Sequence, residues 1–180
     1  MDSIIQSLFA DLEAKDKNAQ YEAFKKLLAV TEEKVDWTYE VWNELVENLT
    51  DKDPHQRARA AQFLAALAIS DPEKRILNAF PTLWNVTKDP KFVTARHSLQ
   101  SIWKVGLAGP EQKEMVVDQL VHRYHDCLGE KNDTLIRFDI IQDLRKLYDR
   151  VQDEAIKKVA LELIATEERD KYRKKYSKLW

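Results

Sequence analysis

The chain has little of what cross-links, tight loops and membrane spans are made from. Cys127 is the only cysteine among 180 residues. That excludes an intramolecular disulfide and makes a reducing cytoplasm the expected location. Three glycines and five prolines supply too few turn formers for a fold of many hairpins, which argues against an all-β architecture. No apolar run approaches the roughly 20 residues that span a bilayer. The segment Met1-Asp2-Ser3-Ile4-Ile5 lacks the basic flank and apolar stretch of a secretory leader. The net charge of −2 gives no overall attraction to nucleic acid. Gly-rich phosphate loops, Gly-x-Ser-x-Gly and His-Glu-x-x-His are all missing, so the sequence offers no enzyme signature and implies no cofactor.

What is present is charge and helical periodicity. The composition is 44% apolar and 33% charged, ordinary for a helical domain except for the excess of charge. Residues 1–70 carry 8 basic and 13 acidic side chains, and residues 71–180 carry 21 and 18, a mild shift toward positive in the second part. Four short polar turns recur along the chain: Asp16-Lys17-Asn18, Asp51-Lys52-Asp53-Pro54, Lys88-Asp89-Pro90 and Lys131-Asn132-Asp133-Thr134. Measured from Asp16, Asp53, Asp89 and Asp133, the steps are 37, 36 and 44 residues. An amphipathic stretch precedes and follows each turn, so the unit is a pair of helices.

The spacing predicts repeats over 1–35, 36–71, 72–109 and 110–151, with a terminal helix or half-repeat over 152–180, all in one domain. Ile4, Ile5, Leu8, Phe9 and Leu12 mark the first helix; Tyr21, Phe24, Leu27, Leu28 and Val30 mark the inner face of the second. Pro54 to about Ser70 reads as one helix with Asp53 at its cap. Its alanines (Ala58, Ala60, Ala61, Ala65, Ala66, Ala68) point to burial between neighbours. Asp71-Pro72 and Asp89-Pro90 repeat the cap signal, Pro81 is placed to kink or split its helix, and Gly106 to Pro110 is the strongest break.

The second helices carry a family likeness. Asp53 with Arg59-Ala60-Ala61, Asp89 with Arg96, and Asp133 with Ile136-Arg137 resemble the turn acid, arginine and small inward residues of HEAT-like (HEAT/armadillo) repeats, over about 150 of the residues. The first repeat departs from the pattern, with Glu22 near the arginine slot. The resemblance implies an all-α, right-handed solenoid of antiparallel helix pairs, about four to five repeats with a carboxy-terminal capping helix. It implies no single function, because such repeats serve many. A more distant likeness is to the HEAT-like DNA alkylation repair glycosylases, which carry Trp followed one turn later by a catalytic Asp. Trp42-Asn43-Glu44-Leu45-Val46-Glu47 is similar, but Val46 stands in the acid's slot, so no catalytic residue carries over.

Two expectations follow for function. In the first, the second helices form a face that binds a protein or peptide partner, an acidic or helical segment, through Arg59, Arg96, His97, Trp103, Lys104 and Arg137. The competing expectation for Arg59, Arg96 and Arg137 is internal: a ladder in which the turn Asp of one repeat pairs with an Arg of its neighbour. Core packing competes likewise for Trp103, as it does for Trp42 and Trp84. In the second, nucleic acid binds the positive second half and the tail, where Lys171, Arg173, Lys174, Lys175 and Lys178 flank a stripe of Tyr172, Tyr176 and Trp180. The tail's other reading is a cap whose aromatics close the last repeat. His122, His125, Asp126 and Cys127 lack the further ligands a closed metal site needs, so no metal is expected.

Overall fold

Four of the helices begin at an aspartate that accepts from their free amides. Asp2, Asp16, Asp53 and Asp153 accept from the backbone N–H of Ile5, Asn18, His55 and Ala155, as short acidic side chains do at helix caps. In the computed structural model, which describes residues 1–180, the chain forms ten helices and no strand. They are α1 (Ser3–Asp11), α2 (Lys17–Val30), α3 (Thr38–Asn48), α4 (Pro54–Leu67) and α5 (Arg75–Val86), then α6 (Phe92–Ser101), α7 (Pro110–Asp126), α8 (Asp133–Val151), α9 (Glu154–Ala165) and α10 (Asp170–Ser177). Short 3-10 turns extend α4 through Ala68–Ser70 and α6 through Ile102–Leu107. No helix is long and apolar enough to cross a membrane.

Two of the expected caps are used differently. Asp71 sits ahead of α5 and grips it from a distance: one carboxylate oxygen accepts from Ile76 N–H and the other from the Tyr39 hydroxyl. Asp89 accepts from Lys91 N–H, and α6 starts only at Phe92. Pro81 does not split α5, which runs unbroken through it. Its ring is exposed, so water can satisfy the carbonyl it leaves unpaired. The last stretch divides into α9 and α10 around a buried Glu167.

Successive helices pack as neighbours, α1 on α2, α3 on α4, α5 on α6, α7 on α8 and α8 on α9, while α4, α6 and α8 also lie side by side in that order. The alanines of α4 explain its central place. Eight of its 14 residues are buried, because small side chains let helices approach on more than one side. Phe63 of α4 gathers the first pair of helices: its ring lies 6.0 Å from Phe9 of α1 and 5.3 Å from Phe24 of α2. Gly106 marks a close approach. A Cβ there would meet both δ-carbons of Leu147 at 3.0 Å, so the turn after α6 rests directly on α8.

One helix face differs from its periodicity. Tyr21 and Val30 stand 60% and 37% exposed, and the residues of α2 that are buried are Ala23 and Leu27. Tyr21 therefore projects into solvent along the side of α2 that carries Lys17 and Lys25.

Candidate partner-binding face

The arginines of the second helices all find partners. Arg59 donates to the Leu12 carbonyl and the Glu13 carboxylate, each at 3.2 Å. Arg96 makes two bonds to Asp139, at 2.9 and 3.3 Å, with Asp139 almost fully buried. Arg137 is itself buried, binding Glu167 at 2.9 Å and the Tyr124 carbonyl at 3.0 Å. These are ion pairs between elements, but none uses a turn aspartate.

The pair that does join a turn acid to a neighbouring helix is Arg57–Asp89, bidentate at 2.6 and 3.0 Å. Burial pushes the Asp89 carboxyl up, but Arg57 and the Lys91 amide outweigh it and hold it below the usual carboxylate range. Asp53 serves only as a cap, and Asp133 pairs with Arg169 at 3.1 Å. The sequence reading missed Arg57; its place one turn before Ala61, two residues from the arginine assigned to the slot, is the only local signal.

Trp103 is 9% exposed and belongs to the core, which removes it and Arg137 from the set of surface contacts. Lys104 reaches back to Glu32 beyond the end of α2. His97 is exposed on α6. Of the candidates, only Arg59 and His97 meet in one surface feature. Arg96→Ala combined with Trp103→Ala is expected to unfold at lower urea by about 3–5 kcal/mol, the usual cost of emptying a buried Trp site, with the uncovered Asp139 adding to it. An unchanged midpoint would return both residues to the surface.

That feature is a trough of about 440 Å3. Its walls are α2, with Lys17, Tyr21 and Lys25, and α6, with His97; its floor is α4, where Ala58 and Gln62 lie. The depth follows from the small residue: a longer side chain at Ala58 would fill the space between the walls. Phe24 adds an apolar patch beside Tyr21, while His55 and Arg59 complete a lining without any acid. Acids stand nearby but engaged. Glu13 accepts from Arg59 and Gln56, Asp53 from His55 N–H, and Glu22 pairs with Lys25 at 2.7 Å. A second cleft, about 280 Å3, lies between α1, α3 and α4 and has the opposite character, with Glu13, Glu40 and Glu44 around Phe9 and Phe63.

The tail folds inward by its aromatics. Tyr176 is fully buried and donates to the Thr134 carbonyl at 2.8 Å. Trp180 lies 5.4 Å from Tyr148, with Arg145 over its ring. Its cations are only partly free: Arg173 and Lys174 bind Asp170, Lys175 lies over Phe138 and Lys171 over Tyr172, while Lys178 is exposed. In the histidine cluster, His122 turns back to the Asp118 carbonyl and Cys127 is buried, its thiol pushed up by that burial.

No protein-family model matches the chain, and no curated protein matches it.

Proposed function

We propose that this chain is a HEAT-like solenoid that works as a non-enzymatic interaction module, binding a protein or peptide partner on the face formed by α2, α4, α6 and α8. The observation that carries this reading is the trough: an open, acid-free depression whose walls and floor come from three successive second helices. The helix order supports it, since α4, α6 and α8 lie side by side as stacked repeats require. Side chains that could have spoken for chemistry are otherwise employed. Trp42 is buried, the arginines are paired, and α10 packs as a cap on α8 and α9. Nucleic acid ranks second, because the tail's aromatics that would stack on bases are largely packed against protein. Base excision ranks third.

A photo-crosslinking amino acid placed at Gln62, on the trough floor, tests the reading against the same group at Lys158, exposed on α9. A discrete protein adduct from Gln62 alone, unchanged by nuclease, is the expected result. Adducts from neither position, or adducts abolished by nuclease, would overturn it.

A further inference from the structure

The trough has a polarity pattern that selects among partners. Lys17, Tyr21 and Lys25 follow one another at intervals of four on α2, so they share one face of that helix with the aromatic between two cations. Eight residues of helix separate the lysines by about 12 Å. An extended peptide advances about 3.3 Å per residue and turns alternate side chains to the same side. Three side chains at alternate positions therefore span about 13 Å, close to the spacing of the two lysines and Tyr21.

We infer that the trough binds an extended acidic segment of another protein with the pattern acid-x-apolar-x-acid, its two carboxylates meeting Lys17 and Lys25 and its central apolar side chain packing on Tyr21, Phe24 and Ala58. The docking role rests on the interaction reading above; the sequence pattern of the occupant goes beyond it. Charge complementarity supports the choice. No acid lines the trough, Lys17, His55 and His97 are exposed without a side-chain partner of their own, and Lys25 lies over the Tyr21 ring at 4.8 Å and pairs with Glu22, both members of that pair being about half exposed. Such pairs are worth little, so Lys25 exchanges Glu22 for an incoming carboxylate readily. Tyr21, 60% exposed between the lysines, is the aromatic anchor that interfaces favour. Gln62 and Gln20 also line the trough; their amide nitrogens donate to the Ala58 and Ala14 carbonyls, which leaves their side-chain oxygens to accept from the peptide backbone.

A nucleic acid fits the same surface less well. Single strands bind through successive stacking platforms along a continuous cationic groove. Tyr21 is one exposed aromatic platform, where a strand needs several in succession.

The test uses the full chain and a fluorescein-labelled peptide of about twelve residues, flanked by glycine and serine, with glutamate-serine-leucine-serine-glutamate at its centre, read by fluorescence polarisation. The expected result is saturable binding below about 1 mM that weakens as salt is raised. A peptide of identical composition with its two glutamates adjacent binds less tightly. Lys17→Glu with Lys25→Glu, and separately Tyr21→Ala, each weaken binding at least about tenfold. All three residues are exposed, so the melting temperature should hold, confirming that the variants fold. No binding of the peptide, equal binding of the permuted peptide, or unaltered affinity in the charge-reversed variant overturns the inference. Tighter binding of a labelled oligothymidylate than of the peptide overturns it in favour of nucleic acid. If crosslinking at Gln62 still captures a protein while the peptide fails, the interaction reading survives and this occupant does not.

Discussion

Replacing Glu167 with alanine is expected to lower stability by about 3–5 kcal/mol, the usual result of removing one partner from a buried ion pair. Glu167 is 1% exposed between α9 and α10. One oxygen takes Arg137 at 2.9 Å and the other takes Arg169 at 2.8 Å, and Arg169 continues to Asp133 at 3.1 Å. The four charges join α8 to the connection between α9 and α10, and Arg137 also lies over the Tyr124 ring of α7. Without Glu167, Arg137 stays buried with only a carbonyl and a ring to answer its charge. For a chain of this size, about 1 kcal/mol moves the melting temperature by roughly 2–4 °C, so a fall of about 10 °C is expected. Amide exchange over Asp170–Ser177 should quicken in the same variant, because α10 is anchored through Arg169. A melting temperature within two or three degrees of the parent, about 1 kcal/mol, would show that the network contributes no net stability.

The same group sets a pH signature. Arg169 foremost, opposed by burial and aided by Arg137, holds the Glu167 carboxyl down to about 2, against an ordinary value of 4.5. A carboxyl bound more weakly to its proton in the folded state contributes stability that is complete above the ordinary value and is lost as pH falls toward the folded one. Urea midpoints of the parent should therefore fall between pH 4.5 and 2, and those of Glu167→Ala should fall less.

Asp143 predicts the opposite. Its side chain is buried in α8 and neither oxygen has a hydrogen-bond partner. It lies one turn from Asp139, whose own oxygens are taken by Arg96 and Gln100. Burial foremost, with Asp139 adding to it and Lys146 opposing, pushes the Asp143 carboxyl well above the carboxylate range. A carboxyl that holds its proton more tightly when folded loses stability as pH rises from its unfolded value toward its folded one. Asp143→Asn keeps the shape and removes the charge. At pH 7 it should stabilise the fold by about 1–3 kcal/mol, because a neutral amide avoids the cost of burying the charge or of keeping the carboxyl protonated. The gain should shrink on acidification and vanish near the ordinary carboxylate value of 3.8. A variant no more stable than the parent at pH 7 would mean that Asp143 is hydrated or paired in solution. The two carboxyls separate cleanly in one titration, since acid weakens the Glu167 contribution and relieves the Asp143 penalty.

Much of the helix pattern was legible in the chain itself because its causes are local. Asp16, Asp53 and Asp153 cap helices through amides two residues on, and Pro54 opens α4, as their chemistry dictates wherever they stand. The alanines of α4 announced a helix enclosed by others, since no other face pattern fits so many small apolar positions. Scarce glycine and periodic leucine, isoleucine and phenylalanine settled the all-α class.

What only the tertiary structure decided is which side chains meet. Arg57, Arg59, Arg96 and Arg137 look alike along the sequence, yet one joins a turn aspartate, one a surface glutamate, one a buried aspartate on α8 and one a glutamate 30 residues on. Spacing within a helix fixes which residues share a face, but the rotation and separation of neighbouring helices choose the partner, and those depend on packing summed over the whole core. For the same reason Tyr21 had the periodicity of a core residue and Asp143 that of an ordinary helical acid. The first became exposed because Ala23 and Leu27 turned inward, and the second became buried because α8 is covered by α6, α9 and the turn at Gly106. The trough belongs to this second kind of fact: Lys17, Tyr21 and Lys25 form their stripe by local periodicity alone, and become a wall only where α6 stands across the alanines of α4.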